Sequence, residues 1–329
     1  MDADRAGGDG AGARPSWQSR VVHALVRARM RPHAHAPIDP AWVRDQMGRP
    51  RGARRLMARA AGGTVRPLPA VGSWPGGERV DAPGAGATAP VLLYLHGGGY
   101  IACSPETHRP LVASLARRVT GRAWVPDYRL APEHPYPAAL DDARGAWRHL
   151  VEDEGVAPER VVVAGDSAGG GLALALAMAL RDGGGAMPAA LVLFSPWTDL
   201  AATGASLEEN TERCAMFAGD TIRRAARFYA GSADPRTPLL SPLYGDYRGL
   251  PPLLLHASRD EVLRDDTVRV AERARAAGVP VELALWPHVP HVWQFFAAVL
   301  PEARASLAAS AAFIRRHAGA APVAPEHAP

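Results

Sequence analysis

Six short runs of the chain are apolar almost from end to end: Val91-Leu92-Leu93-Tyr94-Leu95, residues 123–126, Val161-Val162-Val163-Ala164, Leu191-Val192-Leu193-Phe194, Leu253-Leu254-Leu255-His256-Ala257 and Val281-Glu282-Leu283-Ala284-Leu285-Trp286. Runs of this length bounded by turn residues read as buried strands. Between them the spacing becomes helical, over Leu140 to Glu154, over the apolar stretch Leu172 to Met178, and over Glu261 to Ala277, which Gly278 closes. Strands alternating with helices predict an α/β chain with a mostly parallel central sheet. Residues 64–81 leave room for two antiparallel edge strands, although Pro67, Pro69 and Gly76-Gly77 weaken that reading. No internal repeat interrupts the series. Upstream, Ser16 to Arg29 sets Val21, Val22, Leu25 and Val26 among arginines and reads as an amphipathic helix capped by Ser16, with Asp39 or Pro40 opening a second.

The strand ends carry the chemistry. Gly165-Asp166-Ser167-Ala168-Gly169 stands between an apolar strand and an apolar helix, the setting of a nucleophile elbow. Small residues on either side of the serine allow the sharp turn that exposes its hydroxyl, and the helix N-terminus favours developing negative charge. A five-residue pattern recurs by chance, so a second motif matters more. Val91–Leu95 runs straight into His96-Gly97-Gly98-Gly99-Tyr100, and three glycines after a buried strand suit a backbone whose N–H groups face a ligand. Gly97, Gly98 and Ala168 are the expected oxyanion donors. A serine nucleophile also needs a base and an orienting acid. Asp260 follows the strand ending at Ala257 and is the expected acid. Glu261 and Asp265 lie near it, but residues on the following helix are expected to face solvent. The strand ending at Trp286 leads into Pro287-His288-Val289-Pro290-His291. His291 is the expected base, because it directly precedes an apolar helix starting at Val292; His288 is expected to line or support the site.

These blocks resemble the hormone-sensitive-lipase-like esterases, the G-D-x-G group of the α/β-hydrolase superfamily. Besides the two glycine motifs, the Asp127 to Ala139 segment, Asp260-Glu261-Val262-Leu263-Arg264-Asp265 and His291-Val292-Trp293-Gln294-Phe295 are similar to family segments, and the likeness spans roughly residues 62–317. It implies an α/β-hydrolase fold, a triad of Ser167, Asp260 and His291, and an oxyanion hole of Gly97, Gly98 and Ala168. It also implies a helical cap, made of residues 16–61 and an insertion at about 197–231, and a preference for short acyl esters. The Asp127 to Ala139 segment reads as a rigid, ion-paired brace without a catalytic part. Tyr100, Asp166, Trp197, Met216 and Phe217 are candidate pocket residues, although Met216 and Phe217, with Phe228 and Tyr229, serve equally well as an apolar cap core. Acyl transfer, acetyl-ester or lactone cleavage would use the same groups. A pure receptor role, as in the plant gibberellin receptors that resemble this family, is disfavoured because His291 is present.

Composition removes rival chemistries. The chain of 329 residues contains no lysine, which excludes Schiff-base catalysis, pyridoxal-phosphate attachment and a P-loop. No metal-ligand spacing or dinucleotide fingerprint occurs, so no cofactor is expected. Cys103 and Cys214 do not make a disulfide framework. No apolar run nears the ~18–20 residues of a bilayer span, and Met1 to Pro15 lacks a signal-peptide core, so a cytoplasmic location is expected. Residues 1–15 and the tail from about 318 read as disordered. The net charge of +4 gathers in residues 1–62, which hold twelve Arg against five Asp. A basic amphipathic helix can bind an anionic membrane or nucleic acid, but a helix packed on a neighbour with solvated arginines is the commoner arrangement. The expected partner is therefore a small ester, with no nucleic acid, no membrane insertion, and a homodimer left open.

Overall fold

The computed structural model describes residues 14–48 and 62–318. The expected disordered tails fall almost wholly outside that range, as does the last part of the segment assigned to the N-terminal cap. All the strand signals are realised in one eight-stranded sheet: β1 (Thr64–Leu68), β2 (Gly77–Asp81), β3 (Val91–Leu95), β4 (Arg122–Pro126), β5 (Val161–Asp166), β6 (Ala190–Phe194), β7 (Leu253–Ser258) and β8 (Val281–Trp286). Their order is β1-β2-β4-β3-β5-β6-β7-β8. The β1–β2 and β2–β4 pairings are antiparallel and all others are parallel. The proline-bearing segment is an edge strand, where a missing N–H costs no ladder bond.

Residues of the central strands alternate between two layers. Leu93, Leu95, Val163, Leu191, Leu193, Leu253 and Leu255 pack with the helices Ala138–Arg148, Ala168–Asp182 and Arg264–Ala276. Leu92, Tyr94, Val162, Ala164, Val192, Phe194 and Leu254 pack with Pro105–Arg118 and Pro301–Ala318 on the other side. Covered on both faces, β3, β5, β6 and β7 need the continuous apolar runs seen in the sequence. Truncating one such leucine to alanine costs about 2–5 kcal/mol, so the sheet holds the loops at its carboxyl ends rigidly.

Three helix boundaries differ from expectation. The helix expected over Leu140 to Glu154 is α-helical over Ala138–Arg148 and continues as a wider π turn over His149–Asp153. The helix expected from Val292 is a single 3-10 turn, Trp293–Phe296, preceded by a left-handed Val292; the long helix begins at Pro301. The helix expected from Glu261 begins at Arg264, with Asp265 and Asp266 in its first turn, where carboxylates suit the helix dipole. That last shift changes the site.

Candidate active site

The parallel register places four loops side by side. Leu95 is opposite Gly165, Asp166 opposite Phe194, Phe194 opposite His256, and Ser258 opposite Trp286. The glycine motif, the serine elbow, the carboxylate turn and the histidine loop therefore all leave the same edge of the sheet.

Ser167 adopts φ 52° and ψ −123°, between β5 and the helix Ala168–Asp182. A non-glycine residue there costs on the order of 1–3 kcal/mol and persists only when its surroundings fix it. Here its N–H donates to the Phe194 carbonyl at 2.8 Å, and its own carbonyl accepts from Trp197, Gly170 and Gly171 at 2.9, 3.0 and 3.1 Å. A Cβ at Gly165 would overlap the Gly169 carbonyl oxygen, and one at Gly169 would overlap those of Leu95 and His96. The helix thus starts hard against the end of β3, leaving the half-buried serine side chain at the rim.

Gly97 does not have the free N–H expected of it. That group donates to Asp166 Oδ1 at 3.1 Å and approaches His108 Nε2 at 3.2 Å. The buried Asp166 carboxylate also accepts from the Tyr94 hydroxyl at 2.8 Å. Burial works against its ionisation, but His108 and the Tyr94 hydrogen bond outweigh that and hold it below the ordinary aspartate value. His96 stacks on Tyr128 at 4.2 Å, and burial together with the neighbouring His108 pushes it down to about 3, so it is neutral. This layer fixes the path of the loop above it. Gly98 and Gly99, at φ 123° and 63°, follow with N–H groups that meet no acceptor among the described residues, as does Ala168. Of the three expected donors, Gly98 and Ala168 have N–H groups without an acceptor among the described residues, as does the neighbouring Gly99, whereas the Gly97 N–H is occupied.

The acid also differs from expectation. His291 Nδ1 makes a short contact with Glu261 Oε2, not with Asp260. Glu261, 1% exposed, is held by Ser195 Oγ at 2.8 Å and the Ser258 N–H at 2.7 Å, both on Oε1, while Asn210 Nδ2 donates to its carbonyl at 2.9 Å. Asp260 turns the other way. Its Oδ2 accepts the His288 N–H at 2.9 Å and its Oδ1 pairs with Arg213 at 2.6 Å. The physical reason is the turn: residues 259–263 precede the helix, so consecutive side chains point to opposite sides, and Glu261 is not on a solvent-facing helical surface. The acidic pair Asp265-Asp266, a first-turn signal, was the clue in the sequence to a later helix start.

His291 is buried and its Nε2 has no hydrogen-bond partner among the described residues. The Phe217 ring meets its edge at 5.3 Å. His288 instead stacks on His23 at 4.5 Å, and its carbonyl accepts a short bond from Ser19 Oγ. Among the other pocket candidates, Met216 is half-buried beside Phe217, whereas Tyr100 and Trp197 are core residues. Tyr100 stacks flat on Tyr229 at 3.6 Å, and Trp197 contributes its backbone to the elbow. Asp166 is likewise buried, under the glycine loop whose Gly97 N–H it accepts. In the Asp127 to Ala139 segment Arg129 pairs with Asp142 at 2.8 Å and Glu133 with Arg44 at 2.6 Å. No group of residues suited to hold a metal occurs among the described residues, and none of them forms a helix long and apolar enough to cross a membrane.

A family model described as an alpha/beta hydrolase fold matches residues 92–295. An acetyl-hydrolase of Streptomyces hygroscopicus is 46% identical over 228 residues, covering 69% of this chain and 76% of its own. An esterase of Acinetobacter venetianus is 34% identical over 301 residues, 90% of this chain and 96% of its own. The crystal structure of an esterase from the bacterial hormone-sensitive lipase family superposes with a TM-score of 0.79 at 36% identity, covering 93% of this chain and all of that one. A hormone-sensitive lipase from a metagenome library gives 0.83 at 36% identity over 91% and 98% of the two chains. With an eight-stranded sheet of the same architecture and the serine elbow and histidine loop at its carboxyl edge, the chain belongs to the α/β-hydrolase fold family, in its hormone-sensitive-lipase-like branch of esterases.

Proposed function

We propose that this protein is a serine carboxylesterase in which Ser167 is the nucleophile, His291 the general base and Glu261 the acid that orients it. The observation that carries this reading is the Glu261–His291 contact at Nδ1, which leaves Nε2 as the nitrogen without a partner. With Nδ1–H held by the carboxylate, Nε2 carries the lone pair that removes the Ser167 proton as its oxygen attacks the ester carbonyl. Negative charge moves onto the carbonyl oxygen, and the N–H groups of Gly98, Gly99 and Ala168 are the donors to receive it. The imidazolium then gives its proton to the departing alkoxide. Water, deprotonated by the same nitrogen, attacks the acyl-enzyme and returns Ser167. Glu261 holds the ring by Nδ1 and stabilises its charged form.

Short-chain preference is part of the proposal, and the segments surrounding the site support it. The helix Trp17–Met30 and the insertion with Ser206–Glu209 and Gly219–Ala230 are tied together. Arg27 donates to the carbonyls of Glu212 and Cys214 at 2.7 and 3.2 Å, and Thr221 Oγ1 donates to that of Ala34 at 2.6 Å. A cap pinned in this way limits pocket depth. A panel of dissolved p-nitrophenyl esters tests it: turnover is expected to be greatest at acyl lengths of roughly two to eight carbons. Faster hydrolysis of emulsified long-chain triacylglycerol, with a jump in rate at the solubility limit, would overturn the cap and substrate reading. Products formed with and without added alcohol separate hydrolysis from acyl transfer.

A further inference from the structure

The first helix, Trp17–Met30, has two apolar sides and buries one. Ser19, Val22 and His23 are buried, and Ser19 and His23 rest on the His288 loop. At about 100° per residue, Trp17, Val21 and Leu25 fall on the opposite side, one turn apart. They are 71%, 47% and 65% exposed, with the exposed Ala24 and Ala28 beside them. Together they form an apolar stripe about 12 Å long. Arginines border it: Arg20 on one flank, Arg29 on the other, and Arg14 just before the helix. Arg14 and Arg20 meet no carboxylate among the described residues, and Arg29 reaches only Gln46 at 3.4 Å. The helix itself contains no acidic residue.

We infer that this helix docks flat on an anionic lipid surface, with Trp17, Val21 and Leu25 entering the headgroup–acyl boundary and Arg14, Arg20 and Arg29 meeting lipid phosphates. Aliphatic and tryptophan side chains between unpaired cations are the recognition chemistry of that interface. Charge singles out this occupant. A second copy would bring the same arginines face to face, and three side chains fall well short of the ~800 Å² per partner that a stable protein interface needs. The excess of arginine over aspartate in the sequence of residues 1–62 has the sign that an anionic bilayer attracts.

The test is co-sedimentation of the full chain with vesicles of phosphatidylglycerol and phosphatidylcholine, compared with phosphatidylcholine alone. Binding is expected only with the anionic lipid, to weaken as salt rises, and to fall at least about tenfold in the triple variant Trp17→Ser, Val21→Ser, Leu25→Ser. Hydrolysis of a dissolved ester by that variant is expected to be unchanged, so the docking and the esterase readings fail separately. Fluorescence quenching by brominated lipid, greater in the wild type than in Trp17→Phe, places that side chain in the bilayer. Absence of sedimentation with the anionic vesicles, or equal sedimentation of the triple variant, overturns the inference. A change of oligomeric state in the variant at sedimentation velocity would instead assign the stripe to a second copy.

Discussion

The two halves of the active site are built on different physics. The half formed by the ends of β3 and β5 is a backbone device: Gly97, Gly165 and Gly169 stand where a Cβ would strike a neighbouring side chain or carbonyl, and what it presents are N–H groups and one strained serine. The half formed by the ends of β7 and β8 is a side-chain device, in which Glu261 and His291 are aimed by Ser195, Ser258 and Asn210 across several loops. Steric exclusion leaves a backbone device little choice of residue. A side-chain device depends on which way each residue of a turn points, and adjacent carboxylates such as Asp260 and Glu261 acquire opposite surroundings.

Substitutions can break that comparison at several depths. Ser167→Ala is expected to have the largest effect, a loss of about 10⁵–10⁶ in kcat with an unchanged circular dichroism spectrum; residual activity within tenfold of wild type would exclude Ser167 as the nucleophile. His291→Ala should lose at least about 10³, whereas His288→Ala should lose far less, since its backbone N–H makes the bond to Asp260 and its ring only stacks on His23. The reverse ranking would transfer the base to His288. In the backbone half, Asp166→Ala removes the acceptor of two buried donors, each worth about 1–3 kcal/mol when left unpaired. We expect reduced stability together with a 10- to 100-fold loss of kcat, the order of one weakened oxyanion donor. Normal kcat in a stable variant would show that the layer beneath Gly98 and Gly99 does not set their positions.

The smallest effect is one of stability. His256 is buried beneath the acid–base half with Nδ1 on Ser306 Oγ at 2.8 Å, and burial pushes it down to about 4. Between pH 6.5 and about 4 the unfolded chain takes up this proton and the folded protein does not. Its contribution is therefore complete above about 6.5 and is lost as pH falls, because the unfolded state then binds more protons. His256→Gln should make the decline of the urea midpoint over that interval shallower. An unaltered slope would mean that His256 is not held neutral by burial.

The same contrast explains what could be read from the sequence. Strand runs, the elbow and the order of the loops follow from local pattern and steric demand, and all eight strands and Ser167 stand where the pattern put them. The glycine motif offers Gly97 as a free donor, but its N–H finds Asp166, a partner 69 residues away. The sequence favours Asp260 over Glu261 only if the following helix starts at Glu261; it starts three residues later, at Arg264, and one residue in a turn reverses a side chain. The sequence offers Tyr100 and Trp197 as pocket wall, yet both lie in the core, where Tyr100 stacks on Tyr229 and Trp197 meets Tyr100 at a tilt. At Gly97 and Tyr100 a long-range contact decides the outcome, at Asp260 and Glu261 the direction of a turn, and periodicity records neither.

The assignment of the acid is the centre of this account, and one pair of variants addresses it directly. Glu261→Gln and Asp260→Asn differ least in shape from the native residues, and kcat for a dissolved p-nitrophenyl ester is measured for both. In Glu261→Gln an amide faces His291 Nδ1 and the preferred tautomer is lost, so kcat is expected to drop about 10³–10⁴-fold. Asp260→Asn keeps an acceptor for the His288 N–H and should stay within about tenfold, the range of a lost partly exposed ion pair with Arg213. A large loss in Asp260→Asn with near-normal turnover in Glu261→Gln would contradict the account and return the acid to Asp260.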